Sequence, residues 1–348
     1  MVLCGGREGE TWLHVKAWRR YVGPERIRLL GDDEARTRDR ATRWEVGHFR
    51  SFEDALHSSD AKIFLLFHPL RDRMARAREI LYHKRHLALG PPFARNAEEG
   101  RQLTQLAELK HVSLAAIEPA LLQASTAKLL EIVDQDRLGR PSSLRMRSVL
   151  AGHGGWDPSL TPDFHGVEAD PPPALIPPSE VLFREICEKV SLATRILGPV
   201  AEVVHQGRLD APTGASLVAW KHQVDKRYGH LEIVRSPHLS IRSPYDARED
   251  TLEITGSAGV AWASHGMGRM RNEPAVRFYL QEDLLCYERI EEDYLYGITA
   301  FARDFLGQTE KRLIDHPSLG RVVDAVAVAE IVHKADADGR RRPAGSRS

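Results

Sequence analysis

The first third of the chain alternates short apolar runs with amphipathic or charged stretches of helical length, and this alternation constrains the fold more than any other feature. Val2-Leu3-Cys4 is a short strand, followed by a glycine-rich turn and a helix from about Thr11 to Tyr21 with Trp12, Val15, Trp18 and Val22 near one face. Ile27–Leu30 reads as a second strand, Glu34–Trp44 as a charged helix and Phe52–His57 as a short helix. Ile63–Phe67 is a buried strand, Arg71–His83 a helix and Leu87–Leu89 a strand. Asn96–Leu109 is a helix whose Asn96 and Glu99 have capping-box spacing. Such alternation predicts a parallel sheet with helices on both faces.

After Val112 the pattern changes. A helix is expected over Leu121–Asp136, then a strand over Leu144–Leu150. A long loop rich in Gly, Pro and Asp runs from Gly152 to Pro178, and a helix follows from Glu180 to Leu197. Seven strand signals come next: 201–205, 216–220, 230–234, 251–255, 260–263, 276–279 and 284–287. Their close spacing and turn residues predict one large open sheet, mostly antiparallel. Two helices, 293–306 and 319–332, close the chain. The fold class is therefore α/β. Residues 1–117 form an N-terminal Rossmann domain, residues 118–334 a C-terminal α+β domain, and 335–348 a polar, disordered tail.

Charge narrows the partners. The 49 basic and 49 acidic residues cancel, which argues against nucleic-acid binding. Arg340-Arg341-Arg342 reads as a solvated tail. Cys4, Cys187 and Cys286 are too far apart for a metal motif or disulfide framework, and they suggest a reduced, cytoplasmic setting. No apolar run approaches the roughly 18 residues of a membrane span. No metal site is expected.

A dinucleotide fingerprint needs glycines between the first strand and the first helix, where the backbone must turn tightly and let a pyrophosphate reach the helix N-terminus. The register here is Cys4-Gly5-Gly6-Arg7-Glu8-Gly9, with Gly6 and Gly9 in place and Cys4 at the first position. Glu8 puts a carboxylate near the expected phosphates. Asp32 or Asp33, closing the second strand, suits a ribose diol and so NAD. The alternative is a Rossmann fold that has lost its dinucleotide and keeps these glycines only for the turn.

Several motifs occur in a telling order: Phe52-Glu53-Asp54-Ala55-Leu56, Phe67-His68-Pro69, Leu138-Gly139-Arg140-Pro141, and Glu253-Ile254-Thr255-Gly256-Ser257-Ala258-Gly259-Val260-Ala261-Trp262. Gly266-x-Gly268-Arg269 and Glu273-Pro274-Ala275-Val276 follow. Over nearly the whole chain this order resembles the glucose–fructose oxidoreductase/inositol dehydrogenase (Gfo/Idh/MocA) family, and the hairpin match is the specific one. The resemblance implies a soluble NAD-linked oxidoreductase acting on a sugar, cyclitol or related polar molecule. It implies a nicotinamide near Pro69 and Pro91, and assembly as a homodimer or higher oligomer.

The resemblance also exposes departures. Where the family carries its catalytic Lys, this chain has Pro91. On the first helix of the second domain the family's Asp-x-x-x-His aligns with Arg184 and Glu188. These are either an i,i+4 ion pair or a rebuilt site, with Glu188 as base and Arg184 orienting an anionic substrate. His153 and His165 are candidate replacements for the missing acid and base, or surface histidines. Arg184, Lys189 and Trp156 are candidate substrate-binding residues. Leu70-Arg71-Asp72-Arg73 reads as a solvated helix start or an anion clamp, and Trp220-Lys221-His222 with Tyr228 and His230 as a sheet-face or subunit-contact cluster. Two further readings stay open: non-redox chemistry on the same fold, and an inactive subunit paired with an active paralogue.

Overall fold

A computed structural model describes the chain apart from residues 59, 68–71, 155–166, 168–177, 208–212, 225, 242–246, 266–273, 281, 288–293, 312–317 and 341–348. It divides into two compact units, which are taken in turn.

Unit 1 holds Met1–Leu122 and regains the chain for Asp293–Val323. Its six strands are β1 (Val2–Cys4), β2 (Arg28–Leu30), β3 (Gly47–His48), β4 (Ile63–Leu66), β5 (His86–Leu89) and β6 (Leu114–Ala116). All pair in parallel, in the order β3-β2-β1-β4-β5-β6. The order turns back beside β1, so a crevice opens outside the carboxyl ends of β1 and β4, where doubly wound sheets bind ligands. The helices are α1 (Glu8–Val22), α2 (Glu34–Arg43), α3 (Phe52–His57), α4 (Arg73–Tyr82), α5 (Ala97–Lys110), α6 (Pro119–Leu122) and, from the late segment, α9 (Tyr294–Glu310). Leu3, Val15, Trp18, Leu65, Phe67, Phe301 and Phe305 share one buried cluster. Each such side chain contributes on the order of 1.5–3 kcal/mol. Asn96 caps α5, accepting from the Glu99 amide at 2.8 Å, as its spacing predicted. Strands β3 and β6 were not anticipated; at two and three residues they are too short to show a period.

Unit 2 is built on eight strands: β7 (Pro141–Gly154), β8 (Val200–Gln206), β9 (Gly214–His222), β10 (Tyr228–Ile241), β11 (Arg248–Gly256), β12 (Gly259–His265), β13 (Val276–Leu280) and β14 (Asp283–Tyr287). Their order is β14-β13-β12-β11-β7-β10-β9-β8. Only β7–β10 is parallel; every other pair is antiparallel. The helix α8 (Pro178–Leu197) packs on β7 and β10, burying Val181, Leu182, Ile186, Val190 and Leu197, while α7 (Ala124–Asp134) packs on β12 and β13. The opposite face of the sheet carries Arg145, Arg147, Glu232 and Glu253 with exposed Leu217, Tyr228 and Tyr279.

The two sequence motifs at 138–141 and 253–262 meet here. The amides of Ser257 and Ala258 donate to the carbonyls of Arg140 and Leu138, at 3.0 and 2.9 Å. Gly256 leaves no room for a Cβ, which would fall against the Leu138 carbonyl. Trp262 faces Glu253 directly across β11 and β12, and its Nε1 donates to the Glu253 carboxylate at 2.9 Å.

Three expectations need correction. The helix expected over 121–136 is two helices, α6 and α7, broken at Gln123. The long loop begins later than Gly152, because β7 runs to Gly154. The final helix α10 (Leu319–Arg340) continues past Ala335, into the stretch expected to be disordered.

Candidate functional site

In unit 1 the residues after β1 form a turn that only glycine adopts easily. Gly5 and Gly6 have φ of 71° and 87°. A Cβ on Gly6 would lie 2.5 Å from Thr11 Oγ1 and 3.0 Å from Phe67 Cβ. Gly5 is held to β2 by its amide bond to the Leu30 carbonyl, and Thr11 Oγ1 donates to Arg7 O at 2.8 Å. Helix α1 starts at Glu8, so its N-terminus, the positive end of the helix dipole, lies beside the crevice. Gly9 is buried within that first turn. Cys4, at the first fingerprint position, is fully buried at the end of β1, and burial pushes its thiol up.

The Glu8 carboxylate is spoken for. It accepts from Arg40 Nε at 2.8 Å and lies 3.1 Å from Arg43 Nη1, both on α2. Its charge is therefore neutralised sideways. The two acids after β2 also separate. Asp33 caps α2 by accepting from the Arg36 amide at 3.0 Å. Asp32 remains partly exposed, with Arg76 Nη2 2.9 Å from its Oδ1; Arg76 in turn lies over the Phe52 ring.

Within the stretch Leu70–Arg73, the Arg73 side chain is buried rather than solvated, and it donates to the carbonyls of Gly90 and, at 2.8 Å, Pro92. It thus anchors both flanks of Pro91. Arg71 and Pro69 lie outside the described residues.

In unit 2, α8 brings Arg184 and Glu188 together, Nε to Oε1 at 2.8 Å. Lys189 points to the sheet, 2.5 Å from Asp250 Oδ2, and both are buried. Glu185, fully buried, takes Arg248 Nη1 on Oε1 at 2.6 Å, and its Oε2 has no partner. Burial pushes the Glu185 carboxyl up to about 7, against the pull of Arg248. Burial also works to raise Asp250, but the charges of Lys189 and Arg248 overcome it and hold that carboxyl down, at about 2. Sequence reasoning found the i,i+4 pair but missed Glu185, Arg248 and Asp250, whose partners lie some sixty residues apart in the chain.

The remaining candidates divide. His153 is exposed in β7, paired in register with Ser240. His165 and Trp156 lie outside the described residues. His222 is buried and structural: Nδ1 donates to Gly198 O at 2.6 Å and Nε2 accepts from Trp220 Nε1 at 3.0 Å. Lys221, Tyr228 and His230 lie on the sheet face away from α8. Among the described residues no His, Cys, Asp and Glu group has metal-binding geometry, and no helix is long and apolar enough to cross a membrane.

No protein-family model and no curated protein sequence matches the chain. Solved structures do match its fold over nearly its full length. Levoglucosan dehydrogenase in complex with NADH superposes with a TM-score of 0.73 at 13% identity, over 97% of this chain and 96% of that one. UDP-N-acetylglucosamine 3-dehydrogenase GnnA from Acidithiobacillus ferrooxidans gives 0.71 at 15%, over 96% of each. GenD2 from gentamicin A biosynthesis, in complex with NAD, gives 0.70 at 18%, over 97% and 94%. The shared fold is the one expected from the Gfo/Idh/MocA resemblance.

Proposed function

We propose that this chain is an NAD-linked oxidoreductase acting on a sugar, cyclitol or related polar molecule, with proton-handling residues unlike those usual for its fold. The observation that carries the reading is the turn from β1 into α1, where Gly5 and Gly6 keep left-handed backbones beside the sheet's switch point. Gly6 and Gly9 shape the pyrophosphate cradle, and the α1 N-terminus supplies its donors. Asp32 takes the adenine ribose diol, which selects NAD over NADP. The bound cofactor supplies hydride transfer. On the substrate side Arg184 orients a polar or anionic group, and Glu188 beside it takes the substrate proton; His153, His165, Lys189 and Trp156 are the further candidates.

Titration of the purified chain with NADH, followed by nicotinamide fluorescence, tests the cofactor half. Saturable binding at micromolar to millimolar concentration, weakened by Asp32→Ala, is the expected result. No binding at millimolar NADH removes the reading.

A second reading keeps the fold and replaces the redox chemistry with elimination, cyclisation or isomerisation. Pro91 favours it: a residue without a transferable proton stands at the family's Lys position, held from both flanks by Arg73. Turnover without change in nicotinamide absorbance supports this reading over the first.

For assembly we propose a second copy of the chain, paired through the sheet face that carries Arg145, Arg147, Tyr228 and Tyr279. Its interleaved Arg and Glu residues are self-complementary across a two-fold axis. Pairing with a paralogue is the alternative that mixing experiments distinguish.

A further inference from the structure

The parallel sheet of unit 1 has two ends, and the crevice occupies only one of them. At the other, the amino ends of β1, β2 and β4 border a cavity of about 470 Å³, within the size range of small-molecule sites. Its floor is apolar: Val2, Ala61 and Ile63 are buried there, and Val22, the last residue of α1, and the Phe49 ring complete it. Its rim is charged. Glu25 and Arg26 come from the short turn before β2, Arg28 from β2 itself, and Asp60 and Lys62 from the approach to β4.

The rim charges are not equally available. The Glu25 carboxylate folds over Gly23, where a Cβ would lie 2.6 Å from either oxygen, and its Oε1 faces Arg26 Nε at 3.7 Å. Those two charges answer each other. Arg28 is fixed by a ring rather than by a carboxylate: its guanidinium lies over Phe49, 5.3 Å from the centroid. Gly47 on the neighbouring strand leaves it room, since a Cβ there would fall 2.9 Å from Arg28 Nη1. Among the described residues neither Arg28 nor Lys62 has an ion-pair partner. The Met1 amine donates to the Arg26 carbonyl at 2.9 Å, and burial, with the charge of Arg28, draws it down to about 6, so at higher pH it adds little charge. What remains is Arg28 and Lys62 against Asp60. A ligand with a single negative charge completes that balance, and a guanidinium held in place matches a carboxylate in shape as well as charge. The floor calls for an apolar body on the same molecule.

We propose that this cavity is a ligand site for a small monocarboxylate with an aromatic or branched apolar body, the carboxylate on Arg28 and Lys62 and the body against Val2, Val22 and Ile63. The site shares no residue with the crevice at the carboxyl ends of the strands, so it does not rest on the oxidoreductase reading.

Methyl NMR of the full chain, labelled at Ile, Leu and Val, tests this with 2-naphthoate as the probe. The expected result is saturable movement of the Val2, Val22 and Ile63 signals with a dissociation constant below about 1 mM. Neutral 2-naphthalenemethanol, of similar shape, should bind at least about tenfold more weakly, and the Arg28→Gln, Lys62→Gln double variant should lose at least about tenfold for the acid, as expected for a charge-assisted hydrogen bond. Equal affinity for acid and alcohol, unchanged affinity in the double variant, or no movement of those three signals at about 5 mM acid overturns the proposal. Should the double variant not fold, Lys62→Glu at its exposed position decides: it reverses the charge balance of the rim, and unchanged binding of the acid overturns the site. NADH, in contrast, is expected to move Leu30 and Leu66 at the carboxyl ends of β2 and β4, so the two readings stand or fall separately.

Discussion

Glu8 and Arg40 are joined at 2.8 Å, tying the first turn of α1 to α2. A carboxylate within the turn proposed to cradle phosphate looks unfavourable for an anionic cofactor. The pairing with Arg40, reinforced by Arg43, cancels that objection. Glu8→Gln is therefore expected to leave the NADH dissociation constant within about twofold. It is expected to lower stability by about 1–2 kcal/mol, because a buried charge partner is lost while both guanidinium groups keep some access to water. A marked tightening of NADH binding would show that Glu8 does repel the cofactor.

Arg73 is the main support of the segment around Pro91. Its charge-assisted bonds to the carbonyls of Gly90 and Pro92 are buried, and such bonds contribute about 1.5–3 kcal/mol each. Arg73→Ala should lower the denaturation free energy by about 2–4 kcal/mol in urea, with Arg73→Lys intermediate because an ammonium reproduces only part of the fork. Equal stability of all three proteins would mean that the segment holds its shape unaided.

Local devices were readable in the sequence because their partners are near in the chain: the Asn96–Glu99 cap, the Arg184–Glu188 pair and the hairpin joining Glu253 to Trp262. The strand–helix alternation was readable because β1, β2, β4 and β5 lie in compact apolar runs. What escaped was long-range or very short. Strand β3 has two residues. The partners of Glu185 and Lys189 lie on another element, 63 and 61 residues away, so nothing local marked those side chains as paired. Arg73 lay within the stretch Leu70–Arg73, readable as a solvated helix start or an anion clamp, and nothing local marked its side chain as buried.

On the proposed reading, the pair of Asp32 and Arg76, 2.9 Å apart, sets the cofactor choice. With both present, the carboxylate would accept from a ribose diol and disfavour a 2′-phosphate. Asp32→Ala should weaken NADH binding about 10–100-fold, the range for a hydrogen bond to a charged group. It should also shift preference toward NADPH, since Arg76 loses its partner and faces the added phosphate. Competitive titration with both nucleotides measures the ratio. An unchanged NADH:NADPH ratio would remove Asp32 from the site.

The Arg147–Glu232 pair on the outer sheet face separates a solvated surface from an interface. Both side chains are 40–50% exposed, at 50% and 41%. An ion pair of that kind contributes only about 0.2–1 kcal/mol within one chain. Arg147→Glu should therefore leave the fold intact while placing like charges together across a self-association contact. Sedimentation equilibrium is expected to show the variant as a monomer at concentrations where the parent is a dimer. Identical masses would place the contact elsewhere.

His14 is predicted to be a liability that acid exposes. It is buried on α1 against Phe67, with ring centroids 4.6 Å apart, and its Nδ1 has no hydrogen-bond partner. Burial holds its imidazole neutral, lowering it from 6.5 to about 3. The unfolded chain gains a proton near 6.5 that the folded chain refuses, so His14 removes stability as pH falls below 6.5, by about 1.4 kcal/mol per unit. His14→Leu should raise the melting temperature at pH 8, by sparing the unpartnered nitrogen, and should raise it further at pH 5.5. A gain that shrinks on acidification would mean that the imidazole finds a proton partner in the folded chain.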